Sequence, residues 1–223
     1  IRFTANQGFY LNDKHVPIRG VCNHHDLGCL GAAVNRRALE RQLEILKKMG
    51  CNAIRTSHNP PAPELLDLCD RMGFLVMDEA FDEWKSNKTK YGYGRFFDQW
   101  SEPDLVGMIH RDRNHPSVIL WSIGNEINEQ GAKNGFEMSK RLVDICHRED
   151  PTRPVTSACS NPNAAVNTGF AKPLDVLGIN YNIGAYEKYR GTVMVASETA
   201  SALSTRGEYI FSVEKDGRLK HKP

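Results

Sequence analysis

Short apolar runs and amphipathic segments alternate along this chain. The runs that are apolar almost throughout predict strands near residues 18–22, 53–56, 74–78, 118–123, 155–157, 176–180 and 193–197. Strands of this kind are typical of a parallel sheet that is covered on both faces. The pattern therefore indicates an α/β fold, in which helices lie between successive parallel strands.

Between these runs, apolar residues recur every three or four positions, as they do on the buried face of a helix. The spacing predicts four helices, near residues 36–49, 63–72, 102–113 and 134–148. Asn35 can cap the first helix, Pro63 opens the second and Gly73 ends it. Ser101 and Asp104 form a sequence similar to a capping box at the start of the third helix.

The first eighteen residues have a different pattern. The segment "GFYLNDKHVPIRG" predicts two short strands around a turn at Asn12-Asp13. We therefore expect residues 1–18 to form a short β hairpin or linker, and residues 19–223 to form the α/β domain.

Polar groups follow almost every predicted strand, in the segments "CNHHD", "RTSHNP", "MDEAFDEW", "WSIGNE", "GINYN" and "ASETAS". In a (β/α)8 TIM barrel these strand ends meet at one mouth, where active sites lie. A doubly wound sheet would divide them around a switch point and would carry a glycine-rich phosphate loop after an early strand. Because no G-x-G-x-x-G follows a predicted strand, the sequence favours the barrel.

Composition limits the partners of the protein. The chain has 223 residues, of which 40% are hydrophobic and 25% charged, as in ordinary globular domains. A net charge of +2 with scattered basic residues excludes a nucleic-acid footprint, and no apolar stretch approaches the roughly 20 residues of a membrane span. The chain begins with Ile1, so we interpret it as a mature product or an excised piece whose location is undetermined.

The six cysteines form no recognisable metal or redox motif. None lie in a C-x-x-C pair, and the ligand spacing of a zinc site is absent. We expect buried free thiols, while a disulfide between Cys22 and Cys29 remains an alternative. No cofactor is predicted.

Two glutamates at strand ends indicate a specific chemistry. Glu126 follows the apolar run 118–123, and Glu198 follows the last predicted strand. Cleavage of a glycosidic bond requires one carboxylic acid to protonate the leaving oxygen and a second carboxylate to attack or to activate water. Either glutamate alone would be a solvated loop residue, because charged side chains are mostly exposed. Placed on two strands of one barrel, the pair can lie on either side of a sugar ring.

Five segments together resemble glycoside hydrolase family 2, the β-galactosidase and β-glucuronidase group. They are "RGVCNHHD", "NAIRTSHNP", "DLCDRMGFLVMDEAFDEW", "NHPSVILWSIGNE" and "VASETAS", and they cover nearly the whole chain in the order of the family. The resemblance implies a retaining glycosidase in which Glu126 is the acid/base and Glu198 is the nucleophile. It also implies that Asn125 binds the sugar 2-hydroxyl and that Tyr181 orients the nucleophile.

The same resemblance implies further sugar contacts from His58, His25, Asp26 and Trp84. The expected partner is a carbohydrate, with a homo-oligomer left open, and the expected activity is that of a β-galactosidase, with β-glucuronidase and β-mannosidase as alternatives. A retaining pair of this kind should hold its carboxyl groups about 5–5.5 Å apart.

The sequence departs from the family in two respects. Some members bind Mg²⁺ through a glutamate and a histidine two residues apart, whereas here Glu83 is followed by Lys85, and a lysine cannot ligate at neutral pH. We therefore predict no metal. Members also carry a sandwich-type domain before the barrel and complete the barrel after the nucleophile. We interpret this chain as a piece without the first, and we expect no final strand–helix unit after Glu198. A truncated barrel of about seven of the eight units is expected.

Two rival functions remain at this stage. A metal-dependent barrel hydrolase could use His24, His25, His58 and Asp26, although adjacent histidines on a strand point to opposite faces and chelate one ion poorly. The second rival is a sugar-binding module, or an inactive fragment, that performs no catalysis.

Overall fold

The computed structural model describes residues 1–201. Its first element is a three-stranded antiparallel sheet made of β1 (Arg2–Thr4), β2 (Gly8–Leu11) and β3 (Lys14–His15). The turn between β2 and β3 lies at Asn12 and Asp13, whose φ angles are 48° and 61°. These two residue types tolerate positive φ better than most, which is why this dipeptide can form a tight hairpin.

The remaining strands within residues 1–201 form one parallel sheet. Its members are β4 (Gly20–His24), β5 (Ala53–Ser57), β6 (Leu75–Glu79), β7 (Val118–Asn125), β8 (Val155–Cys159), β9 (Val176–Asn180) and β10 (Met194–Glu198). They are paired in sequence order from β4 to β10. The fold class predicted from the apolar runs is therefore confirmed.

The parallel sheet curls until its first and last strands come together. The thiol of Cys22 on β4 donates a hydrogen bond to the carbonyl oxygen of Ser197 on β10, at 3.3 Å. The carboxyl ends of all seven strands consequently converge on one mouth, as in a TIM barrel. The prediction about the segment after Glu198, residues 202–223, lies outside the described residues.

In the described part of the chain, six α-helices lie between the strands: α1 (Arg36–Lys48), α2 (Pro63–Met72), α3 (Phe97–Asp112), α4 (Gly135–Glu149), α5 (Pro162–Asn167) and α6 (Gly184–Lys188). Short 3₁₀ turns occupy Gly28–Leu30, Tyr93–Arg95 and Asn128–Gly131. The four predicted helices are all present. The side chain of Asn35 accepts the backbone N–H of Ala38, and Gly73 ends α2 with φ 75°.

Two differences from the prediction have physical causes. Helix α3 begins at Phe97 rather than at residue 102. Phe97 is buried against Trp84, and this packing stabilises one more helical turn before residue 102. Helices α5 and α6 have six and five residues, too few to show a helical period in the sequence.

Two apolar clusters hold the barrel together. The larger one lies between the sheet and the helices, and the smaller one fills the inside of the barrel around Ala53, Leu75, Ile119, Leu120 and Val176. Phe9 of the N-terminal hairpin belongs to the inner cluster and is 3% exposed. The hairpin therefore closes the end of the barrel opposite to the mouth.

All six cysteines are free thiols, so the Cys22–Cys29 disulfide that the sequence left open is not formed. Cys69, Cys146 and Cys159 are buried, as expected, whereas Cys29 is exposed. Burial raises the pKa of the Cys69 thiol to about 12, which makes it a poor nucleophile. None of the helices within residues 1–201 is both long and apolar enough to cross a membrane.

An acidic pair is buried on the outer side of the sheet. Asp78 of β6 and Asp112 of α3 are both 0% exposed, and Asp112 is held by the guanidinium of Arg111 at 2.6 Å. Burial, together with the charge of Asp112, raises the pKa of Asp78 well above its usual range. One oxygen of Asp78 has no partner unless it carries a proton that it donates to Asp112.

This pair predicts a pH-dependent stability. Because the folded pKa of Asp78 is raised, its favourable contribution is present below the ordinary Asp pKa of about 4 and is lost as pH rises towards the folded value, by at most about 1.4 kcal/mol per pH unit. Asp78→Asn removes this loss. The difference between the midpoints of thermal unfolding, variant minus wild type, should increase from pH 5 to pH 8. The exposed Asp67→Asn is the control, and parallel curves for D78N and wild type would contradict the shared proton.

Candidate active site

A cavity of about 1180 Å³ opens where β4 and β10 meet. Its mouth is lined by side chains from the ends of four strands: His24 at the end of β4, His58 after β5, Tyr181 after β9 and Glu198 at the end of β10. The volume exceeds the roughly 300–1,000 Å³ of small-molecule sites, because the cavity extends from the mouth to Phe9 and His15 of the N-terminal hairpin. Pockets with converging polar groups at the carboxyl ends of barrel strands are the usual place of catalysis.

Glu198 is held by two donors. Its side chain is 10% exposed, Nη1 of Arg55 donates to Oε2 at 2.9 Å, and the hydroxyl of Tyr181 donates to Oε1. Burial alone would raise the pKa of Glu198, but the Tyr181 hydrogen bond and the Arg55 charge together outweigh it and lower the pKa. Glu198 is therefore an ionised carboxylate that faces the cavity.

Glu126 lies directly after β7 in an unusual backbone conformation. Its φ angle is 47°, in the left-handed region that non-glycine residues seldom adopt, at a cost of about 1–2 kcal/mol. The backbone N–H of Glu126 donates to the carbonyl of Ala158 at 2.7 Å, and Nδ2 of Asn180 donates to Oε1 of its carboxyl group at 2.9 Å. These contacts hold the half-buried side chain in one position at the end of a fully buried strand.

Asn125 connects the two glutamates. Its Oδ1 accepts hydrogen bonds from Nη2 of Arg55 at 2.8 Å and from Nδ2 of Asn180 at 3.1 Å. Because Arg55 also binds Glu198 and Asn180 also binds Glu126, one continuous network spans the mouth. The two carboxylates are therefore linked through the side chains of Arg55, Asn125 and Asn180.

Beneath this network lies a buried ion pair that sequence reasoning missed. Arg55, 3% exposed, donates from Nε and Nη2 to Glu79, which is 0% exposed and also accepts from Ser122 Oγ at 2.6 Å and contacts His58 Nδ1 at 2.8 Å. Burial opposes the charge of Arg55, but the carboxylate of Glu79 keeps its pKa above the usual value. An arginine inside an apolar strand, with a glutamate ending the next strand, was the available signal.

Comparison with known protein families agrees with this fold. The family described as "Glycosyl hydrolases family 2, TIM barrel domain" matches residues 3–205. The chain belongs to glycoside hydrolase family 2. The resemblance seen in the five sequence segments is therefore confirmed.

Several relatives of this family 2 domain are known. A β-galactosidase of Bacteroides ovatus, BoGH2A, is 50% identical over 242 residues, which cover 92% of this chain and 28% of that protein. A β-glucuronidase of Homo sapiens is 30% identical over 199 residues, covering 86% of this chain and 29% of that protein.

Solved structures of family 2 proteins are also similar to this domain. A glycosyl hydrolase family 2 member from Bacteroides cellulosilyticus has a TM-score of 0.79 at 44% identity and covers 86% of this chain and 25% of its own. Bacteroides uniformis β-glucuronidase 2, covalently bound to cyclophellitol-6-carboxylate aziridine, has a TM-score of 0.74 at 28% identity, with 87% and 26% covered. The family 2 domain thus spans about a quarter of the length of these relatives.

Of the predicted sugar contacts, His58 is at the mouth but His25 and Asp26 are not. His24 faces the cavity and lies edge-on to His58 with ring centroids 4.9 Å apart. His25 turns the other way, to the carbonyl of Ala32 at 3.0 Å, and Asp26 accepts a backbone N–H within its own loop. Successive side chains of a strand point to opposite faces, so His24 replaces His25 at the mouth. Because His25 and Asp26 point away from His24 and His58, these four residues do not form the metal site that the rival hydrolase would need.

Trp84 is also placed differently from the prediction. It is 0% exposed, stacks on Phe97 and packs against Phe170, and its indole N–H donates to the carbonyl of Ile123 at 2.8 Å. A side chain with no exposed surface cannot contact a sugar. In this family 2 domain Trp84 supports β7 from behind, next to the backbone that carries Glu126.

The residues at the implied metal position do not fit a metal ion. Glu83 is 4% exposed, and its two oxygens accept the backbone N–H groups of Lys88 at 2.6 Å and Gly94 at 2.8 Å. Lys85 points to the surface, where it pairs with Asp98. Within residues 1–201, moreover, no cluster of three or more His, Cys, Asp or Glu side chains is arranged to hold a metal.

Proposed function

We propose that this chain is the catalytic domain of a retaining β-glycosidase, and specifically of a β-galactosidase. The observation that carries the proposal is the placement of an ionised Glu198 and a fixed Glu126 on one network across the mouth of the cavity. A pair of carboxyl groups with different environments is what double displacement at a sugar requires.

Each glutamate has a defined role in the proposed reaction. Glu198 attacks the anomeric carbon while Glu126 gives its proton to the departing glycosidic oxygen, which leaves a glycosyl ester on Glu198. Glu126, now a carboxylate, takes a proton from water, and the water oxygen displaces Glu198 from the sugar. Two inversions retain the anomeric configuration.

The surrounding residues support this assignment. Arg55 and Tyr181 stabilise the charged form of Glu198, so the nucleophile is ready without proton loss. Asn125 uses one amide hydrogen on Asp82, at 2.9 Å, and its second amide hydrogen is available for the sugar 2-hydroxyl. Hydrogen bonds to that hydroxyl strengthen in the transition state of glycoside hydrolysis.

The similarity to known proteins supports a galactoside as the substrate. The chain is 50% identical to the β-galactosidase of Bacteroides ovatus and 30% identical to the human β-glucuronidase. We therefore place galactosides before glucuronides.

The test compares p-nitrophenyl β-galactoside, β-glucuronide and β-mannoside as substrates of the full-length protein. We expect the β-galactoside to have the highest kcat/KM. A 2-deoxy-2-fluoro-β-galactosyl fluoride should label Glu198, as located by mass spectrometry of peptides. Labelling of a different residue would overturn the assignment, and binding of sugar without turnover would favour a non-catalytic module. A crystal structure of that protein should show the two carboxyl groups about 5–5.5 Å apart.

Tyr181 gives a further prediction about pH. Its hydroxyl donates to Glu198, so Tyr181→Phe should raise the pKa of Glu198. Because the free enzyme needs Glu198 ionised, the acidic limb of kcat/KM should then move to higher pH, by about half a unit for one partly exposed hydrogen bond. The highly exposed Tyr91→Phe is the matched control. An unmoved limb in Y181F would show that this hydroxyl does not tune the nucleophile.

A further inference from the structure

The loop after β6 places the ammonium group of Lys88 between Asp82 and Asn125. Nζ of Lys88 lies 2.8 Å from the carbonyl oxygen of Asn125 and 2.8 Å from Oδ1 of Asp82, and the side chain is 24% exposed. Asp82 also accepts the amide of Asn125 at 2.9 Å. The ammonium group therefore lies against the residue that directly precedes Glu126.

The loop is built to hold that lysine in place. The carboxylate of Glu83 binds the backbone N–H of Lys88, and a Cβ at Gly92 would lie 1.9 Å from Oε1 of Glu83. A side chain at this position would therefore displace the Glu83 carboxylate from the two backbone N–H groups that it binds. The loop is also tied to the segment after Glu126, because the backbone N–H of Ser86 donates to Glu129 at 2.7 Å.

The contact of Lys88 acts on one particular peptide unit. The carbonyl of Asn125 and the N–H of Glu126 belong to the same planar group. Lys88 binds that carbonyl, and Ala158 accepts that N–H at 2.7 Å. A peptide held at both ends fixes the start of Glu126, whose left-handed φ persists only when its surroundings determine it.

We infer that Lys88, rather than a divalent cation held by Glu83, acts as the positioning residue for the acid/base Glu126 in this family 2 domain. The inference rests on the proposed function. The ammonium supplies a positive charge between Asp82 and Asn125, while Glu83, which would ligate a metal, anchors the loop that carries the lysine. One consequence of this inference is that turnover needs no added metal at this site.

The test uses the full-length protein with Lys88→Met and Lys88→Arg, and with Lys85→Met as the control. Lys85 lies on the same loop but is paired with Asp98 at the surface. Each variant is assayed on a β-galactoside whose leaving group needs protonation and on a dinitrophenyl β-galactoside whose leaving group does not. A general acid contributes about 10²–10⁴-fold, so a displaced one should lower kcat/KM on the first substrate by about 10-fold or more.

For Lys88→Met, kcat/KM on the dinitrophenyl substrate should stay within a few-fold of wild type, whereas a merely structural defect would lower both values together. Lys88→Arg should recover part of the loss, and Lys85→Met should match wild type. Equal behaviour of K88M and K85M, or parallel losses on both substrates in K88M, would overturn the role of Lys88. Absence of turnover by wild type on either substrate would instead refute the proposed function.

A metal arm separates the lysine from a cation. Wild type dialysed against EDTA should keep its kcat/KM. Any change in thermal midpoint that Mg²⁺ alone causes should be the same in wild type and in Glu83→Gln. A loss of activity on EDTA treatment that Mg²⁺ restores, together with a Glu83-dependent shift, would overturn the inference.

Discussion

Replacing Glu198 with alanine should lower kcat of the full-length enzyme on aryl β-galactosides by about 10⁵-fold or more, because the covalent intermediate can no longer form. Arg55 and Tyr181, which now surround this carboxylate, would remain as donors around an empty space. Azide is a small anion that fits there. It should attack the anomeric carbon in a single step and restore turnover as a glycosyl azide of inverted configuration.

Product configuration, measured by NMR, decides this experiment. Glu187→Ala serves as the control, because Glu187 is an exposed surface residue that forms an ion pair with Arg190, and the variant should keep the wild-type rate. Near-native activity in E198A, or an azide product of retained configuration, would show that Glu198 is not the nucleophile.

Replacing Glu126 with alanine should have an effect that depends on the leaving group. Substrates with poor leaving groups need the proton of Glu126, so their kcat/KM should fall by about 10²–10⁴-fold. Dinitrophenyl glycosides leave without a proton and should still form the intermediate on Glu198. Water is then a poor nucleophile without its base, so the intermediate should accumulate and KM should fall along with kcat.

Azide distinguishes the two glutamates in this second variant as well. It needs no general base, and in E126A it should attack the glycosyl ester of Glu198 from the opposite face. The resulting glycosyl azide should have retained configuration, opposite to the product of E198A. A uniform loss on all leaving groups, or the exchange of the two stereochemical outcomes, would contradict the assignment.

The sequence predicts the strands and the two glutamates because both depend on local pattern. An apolar run followed by a carboxylate is visible without knowledge of neighbours, as at Glu126 and Glu198. The shared network is not visible. Arg55 and Glu79 become a buried pair only when β5 and β6 lie side by side, and the sequence alone shows isolated charges in apolar runs.

Similar causes explain why some predicted sugar contacts do not line the cavity. The choice between His24 and His25 depends on which face of β4 turns inward, and a slip of one residue reverses it. Trp84 follows a strand, as a sugar-binding aromatic would, but Phe97 and Phe170 come from distant parts of the chain to bury it. Such long-range packing leaves no local trace.

The left-handed backbone of Glu126 also has an evolutionary consequence. At φ 47° glycine or asparagine would be easier for the chain to accommodate, by about 1 kcal/mol in the case of glycine, so folding selects against a glutamate here. Under the proposed function, catalysis by Glu126 is what selects for it. A lineage released from catalysis should drift towards glycine or asparagine at this position while its fold becomes more stable. The residue that stands here in any homologue thus records whether that homologue is still under selection as an enzyme.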